Sequence, residues 1–304
     1  MTATTTPGLA SSLINGILSI KPLANLAKHQ ARQMMIKRAE RIGVPWTEEV
    51  KTLEARDWTQ ELAQVQNSQL TYPEYYFRAF HAYKDGNLSW DAAFELEVAA
   101  NTVHAGIWPD AGAKGDAKLR QSYHDILTKS LPHQPQHILD MACGVGLSTF
   151  TLQEIYPQSQ ITGLDLSPYF LAVANYRAQQ RQAKINWVHA PAESTGLPDA
   201  SFDLVSIFLM FHELPLSATR KIFAEIRRVL RPGGHLAIMD MNPQSEIYQK
   251  MPPYILTLLK STEPYLDQYF ALDIEQTLVE AGFQTPTITS NTPRHRTVIA
   301  QVSP

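Results

Sequence analysis

The chain has 304 residues, 44% of them hydrophobic, a net charge of −3 and a single cysteine, Cys143. This length fits one large α/β domain with an accessory segment, and the hydrophobic fraction supports a sizeable core. The slightly acidic balance argues against a general nucleic-acid binder. One cysteine cannot form an internal disulfide and suits a reducing compartment, and no apolar run approaches the roughly 20 residues of a membrane span. We therefore expect a cytoplasmic protein.

Basic residues are concentrated at the start of the chain. Residues 1–39 carry a charge of +5 without any acid, against −8 for the remainder. An amphipathic, acid-free segment is typical of contact with an anionic membrane surface. Packing as a helical arm or as a homodimer contact explains the same pattern, so both interpretations stay open. Asn15 and Gly16 interrupt the first apolar stretch, which is unlike a cleaved signal peptide.

Helical signals dominate residues 1–130. Apolar residues recur on one helical face near the start, at Leu9, Leu13, Ile17 and Ile20. Residues 45–58 predict a further helix, and Ser89 is placed to cap a helix over 90–104.

Strand and helix signals alternate from about 136 to 240. Apolar runs predict five strands, at residues 137–141, 160–165, 185–189, 203–209 and 235–240. Their near-continuous apolar character is typical of strands buried on both faces of a parallel sheet. Ser167-Pro168 predicts a helix start, and Arg231-Pro232-Gly233-Gly234 predicts a turn into the fifth strand.

The tail of the chain predicts a return to the sheet. A helix over 273–281 precedes two strands, 285–290 and 297–302, which a turn joins. Before that helix lies an insertion, residues 241–270, rich in Pro, Tyr, Leu and Met. The insertion is interpreted either as a lid or as ordinary helix packing.

Residues 137–165 contain the most informative pattern. A strand ends at Asp140, Gly144 and Gly146 follow, and after one helix a second strand ends at Asp165. This layout is typical of a nucleoside-binding crevice at the carboxyl ends of parallel strands. Thr149 stands where a dinucleotide pattern requires a third glycine. A ligand without a pyrophosphate is therefore favoured, and a nicotinamide dinucleotide is the alternative.

These motifs resemble the class I S-adenosylmethionine-dependent methyltransferases, in particular the branch of quinone-biosynthesis C-methyltransferases. The matching stretches are ILDMACGVG (138–146), ITGLDLS (161–167), PAESTGLPDASFDLV (191–205), LMFHELP (209–215) and RRVLRPGGHLAIMD (227–240). The resemblance implies an α/β fold with a Rossmann-like, seven-stranded, mostly parallel sheet and an antiparallel terminal hairpin. Residues 131–304 would form this methyltransferase domain, and residues 1–130 a helical N-terminal arm and cap.

The resemblance also implies a cofactor site for S-adenosyl-L-methionine, which leaves as S-adenosyl-L-homocysteine. Asp140 would orient the glycine loop and face the methionine amino group, Gly144 and Gly146 would lie under the cofactor, and Asp165 would hold the ribose. The remaining cofactor contacts are predicted at Ala142, Leu166, Ala192, Glu193 and Leu209. Similar proteins often have Asp where this chain has Pro191, so the adenine contact is expected from a backbone group or from Glu193.

Methyl transfer depends on positioning, and it needs a base only where the acceptor must lose a proton. His212, after the fourth strand, is the predicted base, and packing beside the cofactor is the alternative. Substrate or lid contacts are predicted at Tyr76, His81, Tyr83, Glu213, Asp240 and Tyr254. Plain core packing of the aromatic residues and structural roles for the acids are the competing interpretations. No metal site is predicted.

The sequence thus predicts a methyltransferase that acts on a small or lipophilic acceptor, aromatic or quinol-like, at carbon or oxygen. A catalytically silent cofactor-binding scaffold is one alternative. A methyltransferase of a protein or RNA acceptor is the other.

Overall fold

The computed structural model describes residues 21–78, 83, 85–108 and 110–303. The predicted apolar face at Leu9–Ile20 and the predicted substrate contact at His81 lie outside the described residues. Helices precede the sheet at α1 (Lys21–Arg41), α2 (Trp46–Glu54), α3 (Thr59–Val65), α4 (Trp90–His104) and α5 (Gly115–Ser130), with a 3₁₀ turn over Glu74–Phe77.

Seven strands in the described part of the chain form one sheet. They are β1 (His137–Met141), β2 (Gln160–Asp165), β3 (Ile185–His189), β4 (Phe202–Phe208), β5 (Leu230–Met241), β6 (Thr287–Ser290) and β7 (His295–Gln301). Their order is β3-β2-β1-β4-β5-β7-β6. All neighbours are parallel except β7, which runs antiparallel to both β5 and β6. The predicted Rossmann-like sheet with a terminal hairpin is confirmed.

The order of the strands reverses direction at β1. From β1 the chain moves outward to β2 and β3, and then returns to β4 on the other side of β1. Connections that leave in opposite directions open a crevice at the carboxyl ends of β1 and β4. The predicted glycine loop lies at this crevice because it follows β1 directly.

The remaining helices cover the sheet or its carboxyl edge. They are α6 (Leu147–Ile155), α7 (Pro168–Arg181), α8 (Leu216–Val229), α9 (Glu246–Gln249), α10 (Pro253–Thr262), α11 (Leu266–Phe270) and α12 (Ile274–Glu280). Helices α9, α10 and α11 occupy the predicted insertion. None of the helices in the described residues combines the length and apolar character needed to cross a bilayer.

The predicted helix starts are confirmed at two serines. The Ser89 hydroxyl accepts a hydrogen bond from the amide of Ala92, and the Ser167 hydroxyl accepts one from the amide of Phe170. Each bond satisfies a backbone donor that the first helical turn leaves unpaired. The two caps begin α4 and α7, the helices that flank the crevice on the β2 side.

The helix predicted over 45–58 ends early, at Glu54. Helix α2 ends at Glu54 and α3 begins at Thr59. The Asp57 carboxylate accepts hydrogen bonds from both the amide and the hydroxyl of Thr59. An aspartate that bonds to the backbone two residues on favours a turn over a continuous helix, which explains the difference.

The turn predicted at 231–234 is wrong in one respect, because β5 already begins at Leu230. Leu230 pairs with Phe202, but the next pair is His235 with Leu204, so the intervening residues form an irregular bulge. Gly233 has a φ of +75°, which L side chains rarely adopt. The Pro-Gly-Gly segment therefore bends a strand instead of preceding it.

Each face of the sheet packs against a different helix. On one face, α8 buries Ile222, Phe223 and Ile226 against the sheet core. On the other face, α5 buries Leu119, Tyr123 and Leu127. Helix α5 precedes the predicted domain boundary at 130, yet it shares the core of the α/β unit. Strands β4 and β5 are covered on both faces, which accounts for their continuous apolar sequence.

The N-terminal helices pack against the β2 side of the crevice. A second buried cluster joins α2 and α4 to Val145 of the glycine loop and to α7. Arg177 of α7 forms ion pairs with Glu49 and Glu97, at 3.1 and 3.2 Å. Described residues of the cap therefore form part of the wall of the crevice.

Candidate functional site

The first wall of the crevice is the end of β1. Asp140 is fully buried, and one carboxylate oxygen, Oδ2, accepts hydrogen bonds from the hydroxyls of Ser148 and Thr149 at 2.8 and 2.6 Å. The other oxygen, Oδ1, has no hydrogen-bond partner. Thr149, the residue that replaces the dinucleotide glycine, thus holds Asp140 in place. A buried carboxylate oxygen without a donor is costly and fits an ammonium group of a ligand.

Asp165 ties the end of β2 to the glycine loop. Its two oxygens accept backbone hydrogen bonds from Gly144 and Ser167, both at 2.8 Å. These bonds hold the loop against β2, and the carboxylate retains lone pairs that ribose hydroxyls can use. Asp165 is buried, and the rear of the loop is closed by Leu96, which a side chain at Gly144 would meet at 2.9 Å.

Burial of the two acids gives the crevice a specific electrostatic character. Burial raises the pKa of Asp140 to about 6 and that of Asp165 to about 6. Hydrogen bonds from the protein lower both values only in part. No ion pair to either carboxylate is found among the described residues. A cationic ligand would stabilise both charged carboxylates, and S-adenosylmethionine carries an ammonium and a sulfonium.

Backbone strain marks the same two strand ends. Ala142, just after β1, and Leu209, just after β4, both have a φ of +59°. This left-handed conformation costs residues other than glycine about 1–3 kcal/mol and is found preferentially at functional sites. Both residues were predicted cofactor contacts, and they lie on the two sides of the strand reversal. The Leu209 amide is held by the carbonyl of Met239 at 2.8 Å.

The third strand brings the cap to the crevice. Glu193, the predicted adenine-side residue, accepts a hydrogen bond of 2.6 Å from the Tyr75 hydroxyl. His189 at the end of β3 accepts a bond from the amide of Asn67 and lies 3.0 Å from the carbonyl of Leu166. Burial lowers the pKa of His189, which favours the neutral ring that these two bonds require. His189 was not among the predicted site residues, although a histidine at the end of a predicted parallel strand was a usable signal.

Aromatic residues of the cap line a groove at the mouth of the crevice. Tyr75 and Tyr76 lie in the 3₁₀ turn, and Tyr76 is close enough to Asp165 and Glu213 for their charges to raise its pKa further, beyond the effect of burial. The groove is lined by Tyr75, Tyr76, Arg78, Asn87, Glu213, Leu214, Pro264 and Tyr265. It therefore runs from the β2 side, where Asn87 bonds to Ser167, to the residues after β4.

Tyr83 lies away from this groove. Its hydroxyl donates a 2.6 Å hydrogen bond to Glu95 of α4, and Glu95 also pairs with Arg32 of α1. The substrate contact predicted at Tyr83 stays a prediction, and in this structure the side chain joins two cap helices. Its aromatic ring packs in the cluster that contains α2 and α4.

His212 and Asp240 form a buried pair where β4 and β5 end. His212 Nδ1 lies 2.7 Å from Asp240 Oδ1, and Asp240 Oδ2 accepts a bond from the amide of Phe211 at 2.8 Å. Burial disfavours the imidazolium, but the charge and the hydrogen bond of Asp240, with Glu263 and Glu213 nearby, raise the pKa of His212 to about 10. Asp240 is 1% exposed and lies behind His212, so it orients the ring.

The insertion covers this pair through α11. The Tyr269 hydroxyl donates to the carbonyl of Met241 at 2.7 Å, and its ring lies 6.4 Å from that of His212. Tyr248 of α9 packs edge-on against Phe270. Tyr254 of α10 is 45% exposed, and the lid contact predicted for it stays a prediction. No group of His, Cys, Asp and Glu in the described residues is arranged to hold a metal ion.

The fold and the crevice define a nucleoside-binding α/β enzyme whose site suits a cationic, phosphate-free ligand. Comparisons with known proteins agree. A family described as a methyltransferase domain matches residues 139–238. The chain is 33% identical over 114 residues to a demethylmenaquinone methyltransferase of Thermus thermophilus. This match covers 38% of this chain and 51% of the relative. It is 31% identical over 201 residues to the O-methyltransferase cnsE of Penicillium expansum, which covers 64% and 69%.

Solved structures share the fold at low identity. The Haemonchus contortus phosphoethanolamine N-methyltransferase 2 in complex with S-adenosyl-L-methionine has a TM-score of 0.52 and 17% identity, and the match covers 73% of this chain and 62% of that one. The PH0226 protein of Pyrococcus horikoshii has a TM-score of 0.51 and 16% identity, over 66% and 99%. This chain spans about half the length of the demethylmenaquinone methyltransferases that it matches.

The chain belongs to the class I S-adenosylmethionine-dependent methyltransferases. S-adenosylmethionine is accordingly its cofactor, and the unpartnered oxygen of Asp140 and the ribose-side acid Asp165 fit that molecule. The predicted family, fold and cofactor are confirmed. The individual cofactor contacts remain predictions that the geometry is compatible with.

Proposed function

We propose that this methyltransferase acts on a small, lipophilic acceptor that carries an aromatic hydroxyl, as a quinol does, and methylates it at carbon or oxygen. The observation that carries the proposal is the buried His212–Asp240 pair beside the groove at the end of β4. Demethylmenaquinone methyltransferases and O-methyltransferases among the relatives support this class of acceptor.

The cofactor supplies an electrophilic methyl group on a positively charged sulfur, and the protein contributes position and proton transfer. Asp240 holds the Nδ1 side of His212, which leaves Nε2 to face the acceptor hydroxyl. A pKa of about 10 matches that of a phenolic hydroxyl, about 10 in water. A pKa of about 10 also keeps His212 protonated at neutral pH, so His212 takes up the proton of the acceptor only in alkaline solution, where the matched pKa values let that proton move to Nε2 at little cost.

The surroundings of the pair suit an aromatic acceptor. Tyr75, Tyr76 and Tyr265 line the groove, and the Tyr269 ring lies edge-on to that of His212 at 6.4 Å. Aromatic rings offer apolar area for a ring-shaped acceptor and favourable contact with a nearby cation. Glu213 lies at the same groove, with its carboxylate 4.0 Å from His212 Nε2, and we propose that it contacts the acceptor.

The test is methyl transfer from labelled S-adenosylmethionine to a panel of quinols, catechols and simple phenols, followed by mass spectrometry of the products. We expect His212→Gln to lower kcat by about 10²–10⁴-fold, the usual contribution of a positioned base, and to leave the affinity for S-adenosylhomocysteine unchanged. Lys221→Gln, a charge change on the outer surface of α8, is the matched control. Tight cofactor binding without turnover on any acceptor would instead favour a scaffold protein. Transfer to protein or RNA alone would replace the small acceptor.

We propose that the described part of the basic segment packs as a helical arm. Arg32 of α1 pairs with Glu95, which is 1% exposed, and Ala39 is buried. The membrane interpretation is tested by flotation with anionic liposomes. The control is a variant with Lys21, Lys28 and Lys37 replaced by Gln. Equal flotation of the wild type and this variant supports packing, whereas a several-fold loss of flotation in the variant supports membrane contact. Light scattering tests the homodimer.

A further inference from the structure

Arg296 is buried where β7 pairs with the end of β5, beside the His212–Asp240 pair, without a full set of partners. It is the second residue of β7, and its Cα pairs directly with that of Asp240 in β5. Directly paired residues of antiparallel strands lie on the same face of the sheet. Arg296 is 7% exposed, and the nearby Tyr269 is 1% exposed.

One edge of the Arg296 guanidinium has nothing to bind. Arg296 lies near the Tyr269 hydroxyl and opposes part of the rise in its pKa, but the Nε and Nη2 atoms of Arg296 have no hydrogen-bond partner. These two donors form the planar fork that binds carboxylates and other oxyanions through two parallel hydrogen bonds. The described residues contain no ion pair to Arg296. A buried guanidinium in this state is costly, and the cost is tolerated where a ligand completes the site.

The position of Arg296 matches the acceptor and not the cofactor. Strand order places β4 and β5 between β1, which carries Asp140, and β7. Three strand spacings amount to about 14 Å, so the methionine end of the cofactor at Asp140 lies well away from the fork. Tyr269, in contrast, lies near both Arg296 and His212, with its ring 6.4 Å from that of His212, so the fork lies about one aromatic side chain from the proposed base.

We infer that the Nε–Nη2 edge of Arg296 binds an anionic oxygen of the methyl acceptor, a carboxylate or a phenolate, on the side of Tyr269 away from the methyl group. The inference rests on the proposed function, because it takes His212 to mark the reacting hydroxyl. It selects acceptors with two oxygen functions on one ring system: one at His212 and one, ionised, at Arg296. Neutral alcohols and amines are disfavoured because they leave the fork unpaired.

Two assays distinguish a carboxylate from a phenolate as the anion that Arg296 binds. Both use the full chain saturated with S-adenosylhomocysteine. Titration calorimetry compares 4-hydroxybenzoate with its neutral isostere 4-hydroxybenzamide. Absorbance measures how far binding shifts the ionisation of 4-nitrophenol towards the phenolate. We expect a preference of at least about tenfold for the anion in one of these assays, in line with a charge-assisted hydrogen bond.

Variants assign that preference to the fork. Arg296→Gln is expected to abolish it, and Arg296→Lys, which keeps the charge but not the planar fork, to reduce it several-fold. Arg220→Gln, on the exposed surface of α8, is the matched control and should leave it intact. A wild type without preference in both assays, or an unchanged preference in Arg296→Gln, overturns the inference and leaves ordered water as the partner of the fork.

Folding and cofactor binding are measured on the same samples by circular dichroism and by titration with S-adenosylhomocysteine. If Arg296→Gln does not fold, the lysine variant decides, and an unchanged preference there overturns the inference. A folded wild type that does not bind S-adenosylhomocysteine contradicts the proposed function. A wild type that binds it without anion preference contradicts only the role of Arg296.

Discussion

The His212–Asp240 pair makes a quantitative prediction for Asp240→Asn. The pKa of His212 is raised from its ordinary 6.5 to about 10, mainly because the charge and hydrogen bond of Asp240 outweigh burial. At about 1.4 kcal/mol per pKa unit, this shift corresponds to up to about 5 kcal/mol of stability. Because the folded pKa is the higher one, that stability is fully present below pH 6.5 and is lost as the pH rises through 10.

Asparagine removes the charge and presents either an amide oxygen or an amide nitrogen to Nδ1. Burial is then opposed only by the charges of Glu263 and Glu213, so the pKa of His212 falls well below 10 and towards its ordinary 6.5. We will compare the free energy of unfolding in urea at pH 6, 8 and 10. Between pH 6 and pH 10 we expect it to fall by several kcal/mol more in the wild type than in Asp240→Asn. The acidic limb of the kcat profile should move to lower pH by about three units, with a lower plateau.

The matched control is Glu246→Gln, which removes a carboxylate of an exposed pair with Lys250. It should keep the pH dependence of the wild type, including the general alkaline loss caused by lysine and tyrosine titration. Equal pH dependence of unfolding in the wild type and Asp240→Asn would refute the reasoning about the pair. A shifted unfolding profile with an unshifted kcat profile would leave the pair structural and remove His212 from proton transfer.

The other predictions concern the cofactor crevice and the cap. Asp140→Asn should raise the free energy of unfolding at pH 8 by about 1–3 kcal/mol. The pKa of Asp140 is about 6 in the folded chain, so ionisation of this carboxyl destabilises the fold as the pH rises from 4 through 6, and asparagine does not ionise. Calorimetry should show at least tenfold weaker binding of S-adenosylmethionine to this variant. Asp165→Ala should weaken cofactor binding to a similar degree, and unchanged affinity would remove Asp165 from the site. Wild-type affinity for S-adenosylmethionine should fall as the pH drops below about 6. Ser89→Ala should cost about 1 kcal/mol in thermal unfolding without changing cofactor affinity, because it removes only a helix cap.

Local signals in the sequence were sufficient for most of the sheet. Five strands, the two serine caps and the terminal hairpin follow from apolar runs and from residues with strong positional preference. The two exceptions are a helix that ends early and a turn that forms inside a strand, and both have local causes. Asp57 turns a chain with continuous helical periodicity, and the Pro-Gly-Gly segment forms a bulge because its backbone can stay in the sheet.

The sequence predicted those site residues that lie close together along the chain, and it did not predict the contacts between distant ones. Asp140, the two glycines and Asp165 lie within 26 residues and carry a pattern that one fold explains. The contacts that complete the site join distant residues. His189 meets Asn67, Glu193 meets Tyr75, and neither pair has a signature in the chain. Tyr83 looked equivalent to Tyr76, and only packing separates them.

By itself the sequence determined the sheet, its crevice and the methyl donor, because periodicity, glycines and strand-end acids act over short stretches of chain. Tertiary structure decided which groups share an environment. Asp240 and His212 are 28 residues apart, and Arg296 joins them only because β7 pairs antiparallel with β5. A pKa of about 10 and an unpaired guanidinium are products of burial among particular neighbours, and a linear sequence does not contain those neighbours.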